Sequence, residues 1–152
     1  MSNPLSTTLR VVRLRPEAAL PEYKSALAAG LDLSACLGPG ESVDVAPGEI
    51  VKVSTGLRFA IEAGFEGQVR PRSGLATKHG ITVPNAPGTI DADYRGEAMV
   101  ALINLGRETF TIEHGMRVAQ LVIAPVAHAR VLEVDALDDT ERGAGGFGST
   151  GR

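Results

Sequence analysis

Tryptophan is absent and aromatic residues make up only 4% of the chain, which leaves aliphatic side chains to fill the core. Cysteine occurs once, at Cys36. One thiol can neither close an internal disulfide nor supply a cysteine-based zinc site. It reads as a small packed residue in a reducing compartment. Positive charge is not in excess: 15 basic residues stand against 18 acidic ones, for a net charge of −3. Such a balance gives no reason to expect nucleic acid or a membrane as partner. No apolar run reaches membrane-spanning length; residues 121–127, the longest, include Pro125. The first ten residues, MSNPLSTTLR, lack the apolar stretch of a signal peptide, so a cytoplasmic location is expected.

What is there suits one domain. The chain has 152 residues, 43% hydrophobic and 22% charged, enough to bury a real core. Glycine (18) and proline (9) are plentiful and recur as turn signals at Gly38-Pro39-Gly40, Pro47-Gly48, Ala63-Gly64, Pro87-Gly88 and His114-Gly115. Between them lie short strand-like runs at residues 9–14, 42–45, 50–54, 57–61, 99–105, 109–113, 118–123 and 131–134. Alternation puts Val51 and Val53 on one face and Ile50 and Lys52 on the other, and it aligns Leu57, Phe59 and Ile61. Many short strands at this spacing predict an all-β sandwich or barrel. Two stretches have helical character: residues 17–29, interrupted by Pro21, and residues 73–78.

Three groups of residues carry chemistry. Arg70-Pro71-Arg72-Ser73-Gly74 sets two guanidiniums and a hydroxyl before a possible short helix, a combination suited to phosphate oxygens. Alone, it reads better as a solvated turn with a serine cap. Residues 88–96 place Asp91 and Asp93 beside Tyr94 and Arg95. Paired acids can serve as general base and metal ligand, or simply form an acidic turn with a local Asp–Arg pair. Residues 142–152 are glycine-rich, five of nine from Gly143 to Gly151. A Rossmann reading fails because no helix follows, and a P-loop reading fails because Ser149 stands where the lysine belongs. The tail is either floppy or able to grip phosphate through backbone N–H groups, two arginines, Ser149 and Thr150, with Phe147 stacking on a base.

Taken together and in order, these motifs closely resemble those of the trimeric deoxyuridine triphosphatases, the dUTPases. All five family motifs are present: residues 29–35 (AGLDLSA), 71–76 (PRSGLA), 88–97 with Asn85 upstream, 115–121 (GMRVAQL), and 142–151. The resemblance implies a jelly-roll-like all-β subunit with little helix. Residues 1–141 would form the domain, and an arm at 142–152 would close an active site shared within a homotrimer. It implies a hydrolase of pyrimidine nucleotide metabolism, a dUTP diphosphatase: dUTP and water give dUMP and pyrophosphate, with Mg²⁺. Uracil is thereby kept out of DNA, and dUMP is supplied for dTMP synthesis.

By the same resemblance, Asp91 activates the attacking water and touches the sugar 3′-OH. Tyr94 lies under the deoxyribose. Asn85, Gly88 and Ile90 belong to the hairpin that receives the uracil, and Thr89 and Met99 join the substrate-binding set. Arg72, Ser73 and Gly74 hold phosphates, Gln120 helps place phosphate and water, and Asp32 reaches Mg²⁺ through its water shell. Arg142 grips phosphate, Phe147 stacks on the base, and Gly148, Ser149 and Thr150 wrap the outer phosphates. Asp91, Gln120 and Arg72 form the catalytic set.

Met116 departs from the pattern, since the family usually has an acidic residue there; a weaker local pairing with Arg117 follows. His79, His114 and His128 are scattered without metal-ligand spacing and read as structural or surface residues. Two other readings remain. A dCTP deaminase of related fold has a second serine where this chain has Gly74. A binding or regulatory protein without turnover is opposed by Asp91, Arg72, Gln120 and the complete tail.

Overall fold

A computed structural model describes residues 6–146 of the chain. Its elements are β1 (Arg10–Arg13), β2 (Leu31–Ser34), β3 (Ser42–Val45), β4 (Ile50–Ala60), β5 (Phe65–Arg70), α1 (Ser73–His79), β6 (Ile81–Thr82), β7 (Gly88–Ile90), β8 (Glu97–Asn104), β9 (Phe110–Glu113) and β10 (Arg117–Pro125). They form three sheets, ordered β1-β4-β8-β6, β2-β10-β5-β7 and β3-β9, and every pairing is antiparallel. The all-β expectation holds. One aliphatic core, including Leu33, Val53, Leu57, Leu102, Ile112 and Leu121, holds the sheets together.

The alternation read from sequence is the alternation that packs. Leu57, Phe59 and Ile61 are buried, as is Val53, while Ile50 is 58% exposed. The two segments expected at 50–54 and 57–61 are instead one strand, joined across a bulge. The β4–β8 register shifts between Ser54 and Arg58, and Gly56 sits there with φ +67°. Only glycine enters that conformation freely. A Cβ on Gly56 would stand 2.8 Å from the Ala18 Cβ and 2.9 Å from the Cys36 Sγ. Cys36 is thus the small packed residue expected, buried against this glycine.

Two expectations fail. Residues 17–29 are turns and a single bridge, not a helix. Besides Pro21, the segment lacks an apolar stripe to bury: Leu20 is 48% and Leu27 97% exposed. Residues 131–134 form no strand; Val131 and Leu132 stay exposed with no ladder partner among the described residues. The helix at 73–78 does form, as α1. Its N-cap is Arg72, without a side-chain cap bond, rather than a serine. It ends on Gly80, whose left-handed backbone turns its N–H back to the Ala76 and Leu75 carbonyls. Near the N-terminus, the Thr7 hydroxyl and the Thr8 N–H donate to Glu62, and these bonds hold its carboxyl below the usual carboxylate range.

Candidate active site

The second sheet supplies the first half of the site. Across it, Asp32 on β2 stands opposite Gln120 on β10, and Gln120 stands opposite Arg70 on β5. Directly opposed residues share a face, so these three line up on one side. The next row, Leu31, Leu121 and Val69, points the other way and is buried. A bulge in β10 extends the polar row. Arg117 pairs with Ser34, but Ala119 already pairs with Leu33, and Val118 and Ala119 are both buried. Residues three apart on a regular strand face opposite sides. The extra residue brings Arg117 onto the face of Asp32 and Gln120.

Arg72 arrives from the turn after β5. Its Nε lies 3.4 Å from Asp32 Oδ1, and one terminal nitrogen donates to the Arg117 carbonyl at 3.2 Å. Arg117 donates to Asp32 Oδ2 at 2.9 Å. Asp32 is therefore a mostly buried carboxylate between two guanidiniums, its side chain 14% exposed. It fixes both arginines in place while leaving each partly open to solvent. Gln120 donates from Nε2 to the Pro71 carbonyl at 3.0 Å. Its carbonyl end lies over Gly30, where a Cβ would come within 2.6 Å of Oε1. These groups line a cavity of about 400 Å³ with Ser73, Gly74, Lys24, Ala28 and Ala29.

The second half lies on β7 and the turn after it. Asn85, Gly88, Thr89, Ile90 and Met99 line a smaller cavity of about 120 Å³, with Lys52, Val69, Val83 and Ala101. A Cβ on Gly88 would lie 3.2 Å from Asn85 Nδ2 and 3.4 Å from the Val69 Cβ. β7 is an edge strand, bonded to β5 on one side, so backbone groups of its other edge are available to a ligand. Beyond it the chain turns: Tyr94 N–H donates to the Asp91 carbonyl, and the Tyr94 hydroxyl to the Glu97 carbonyl. A Cβ on Gly96 would fall 2.3 Å from that hydroxyl. The local Asp–Arg pair is not formed; Arg95 donates instead to the Ala92 and Tyr94 carbonyls. Asp91 and Tyr94 are both exposed.

Within one chain the two halves do not meet. Ile90 pairs with Gly67, and Asp91 lies one residue past that pairing. Arg72 lies five residues past Gly67 in the opposite direction. Six residues of extended chain, at about 3.3 Å each, separate the two backbones by roughly 20 Å. Asp91 lines a different cavity from that of Arg72 and Gln120. Arg142 lies in neither half: its Nε donates to the Gly145 carbonyl at 2.9 Å within a local turn. Phe147, Gly148, Ser149 and Thr150 fall outside the described residues.

Three residues of the first cavity had no role in the sequence reading. Gly30 sits in the first motif, but its contact with Gln120 is a matter of cross-strand packing. Arg117 was placed beside Met116, yet its acidic partner is Asp32; Met116 packs against the core. Lys24 lay in the supposed helix, and only its turn conformation brings it to the cavity rim.

As for a metal, no group of three or more His, Cys, Asp or Glu that could hold an ion occurs among the described residues. Asp32 is the sole carboxylate of the first cavity, already paired twice. That donor set fits a magnesium ion brought on phosphate oxygens and keeping its waters, not one in an all-protein cage.

Fold and site define an antiparallel β protein with an arginine-lined cavity and a separate edge-strand pocket. The family model described as dUTPase matches residues 16–151. A deoxyuridine 5'-triphosphate nucleotidohydrolase from Rhizobium etli is 58% identical over 146 residues, covering 95% of this chain and 94% of the relative. One from Desulfotalea psychrophila is 61% identical, covering 88% and 87%. Among solved structures, the Staphylococcus bacteriophage 80alpha dUTPase with dUPNHPP superposes with a TM-score of 0.86 at 28% identity, covering 95% of this chain and 99% of that one. A mutant dUTPase from phage phi11 of S. aureus, whose structure reveals the coordination of a structural Mg(II) ion, has a TM-score of 0.76 at 25% identity, covering 85% and 97%. The chain belongs to the dUTPase family.

Proposed function

We propose that this protein hydrolyses dUTP to dUMP and pyrophosphate, in sites shared between the subunits of a homotrimer. The observation that carries the reading is the division of the site. One chain holds Arg72 and Asp91 roughly 20 Å apart, in different cavities, which supports a second chain's bringing Asp91 to the cavity of Arg72 and Gln120. The family match and the relatives' names support dUTP as the substrate.

In the proposed reaction the base lies against β7, whose free backbone edge matches the donors and acceptors of uracil. Cytosine would leave buried polar atoms unpaired, at about 1–3 kcal/mol each. Asn85, Gly88, Thr89, Ile90 and Met99 form that pocket, and Tyr94 supports the deoxyribose and excludes a 2′-OH. Arg72, Ser73 and Gly74 of a neighbouring chain hold the phosphates, and Gln120 orients the α-phosphate and the water. Asp91 accepts a proton from the water, whose oxygen bonds to the α-phosphorus. The bridging bond to the β-phosphate breaks and its electron pair leaves with pyrophosphate. Positioning and charge neutralisation supply most of the rate at phosphorus. Mg²⁺ on the phosphates, with Asp32 reaching its water shell, would add charge neutralisation. The arm from Arg142, with Phe147, Gly148, Ser149 and Thr150, closes the site. Removal of dUTP limits uracil in DNA, and the product dUMP feeds dTMP synthesis.

The test is pyrophosphate release from dUTP beside dTTP, dCTP and UTP, with and without Mg²⁺. Magnesium-stimulated release from dUTP alone is expected. Ammonia from dCTP, or no turnover by the folded protein, would overturn the reading.

A further inference from the structure

The geometry points to Lys24 as an additional phosphate-binding residue, one that sets how strongly the site prefers a triphosphate to a shorter phosphate chain. The inference rests on the proposed nucleotide reading and deepens it.

Lys24 reaches the cavity because of how residues 21–30 fold. Asp32 N–H donates to the Glu22 carbonyl at 3.0 Å, a single bridge that ties the segment alongside β2. A turn closed by Ala28 N–H on the Ser25 carbonyl then carries the chain back to Ala29 and Gly30. Lys24 is thereby set on the rim of the cavity that holds Arg72, Arg117, Ser73 and Gln120. With Glu22, the partner of Lys24, counted beside Asp32, three cations stand against two carboxylates here, an excess that a polyanion would balance.

The three cations are not equivalent. Arg72 and Arg117 are both tied to Asp32, which is mostly buried. Lys24 is tied to Glu22, and in that pair both side chains are at least half exposed, 50% and 64%. An exposed pair of this kind is held weakly. A lysine is a point charge on a flexible stem, able to turn toward phosphate wherever it lies near the rim. The arginines thus hold a fixed place for the inner phosphates, and Lys24 is the mobile cation for the terminal one. A nucleoside monophosphate, lacking that group, gains nothing from it.

The test compares Lys24→Gln with the parent protein. Equilibrium binding is measured for dUpNHpp, dUMP and inorganic tripolyphosphate at several salt concentrations, alongside thermal melting. Lys24→Gln is expected to weaken dUpNHpp and tripolyphosphate about tenfold, to flatten their salt dependence, and to leave dUMP affinity and melting temperature unchanged. In turnover, KM for dUTP rises and kcat holds. Unchanged binding of dUpNHpp and tripolyphosphate, or an equal loss for dUMP, would overturn the assignment. Should the parent protein bind tripolyphosphate but no deoxyuridine nucleotide, the nucleotide reading falls. The tripolyphosphate arm then still decides whether Lys24 belongs to an anion site.

Discussion

At the scale of single residues, the site is governed by what holds each polar group still. Asp32 has two arginine partners and Gln120 has the Pro71 carbonyl. Asp91, by contrast, is exposed, as the proposed base would need to be to meet phosphates held by another chain. Asp91→Asn keeps the shape and removes the proton acceptor. Turnover should fall by at least about a thousandfold, toward the upper end of what general-base catalysis contributes, while dUpNHpp still binds in a titration. Gly30→Ala tests packing rather than chemistry. Its methyl would meet Gln120 Oε1 and displace the carboxamide from Pro71. Losing one such bond costs roughly 1 kcal/mol, several-fold in kcat. The loss should vanish in a Gln120→Ala background, since a double-mutant cycle isolates the coupling. Asp91 and Arg72 stood out in the sequence because their residue types suit the chemistry, and Gln120 came only from the family resemblance. Gly30, Arg117 and Lys24 were not legible, because their roles depend on what lies across the sheet.

At the scale of elements, local pattern was readable where burial is one-sided. The alternation of Leu57, Phe59 and Ile61 predicted their face correctly, because a half-buried strand must alternate. Bulges were not readable, since they are set by the partner strand. One joins two expected strands at Gly56, and the other swings Arg117 onto the face of Gln120. The supposed helix at 17–29 had suitable composition but no apolar stripe, with Ala18 buried but Leu20 and Leu27 exposed, and residues 131–134 had no ladder partner among the described residues. Gly56→Ala tests the first bulge. It combines a left-handed backbone with a methyl pressed on Ala18 and Cys36, and should cost about 2–4 kcal/mol. A lowered urea midpoint with an unchanged slope would show it.

At the scale of the whole molecule, a single chain keeps Asp91 and Arg72 apart, in different cavities. It exposes Val131, Leu132, Val134 and Leu137 along the stretch that leads to the arm, and Asp91 is separated from Arg72 along the length of the strands that carry them. No helix among the described residues is long and apolar enough to cross a membrane. Family resemblance, rather than periodicity, gave the expectation of a trimer and a closing arm. Neither is written in a local pattern, since both concern other copies of the chain.

The most direct test mixes two variants that are each inactive alone. Asp91→Asn lacks the base and Arg72→Ala lacks the phosphate grip; subunits of the two are unfolded together, refolded together and assayed for pyrophosphate release from dUTP. If sites are built across chains, mixed assemblies contain some sites with both residues intact, and activity returns to a substantial fraction of the parent protein's. If each chain holds its own complete site, every site in the mixture stays defective and activity remains at the level of the separate variants, which would contradict the account.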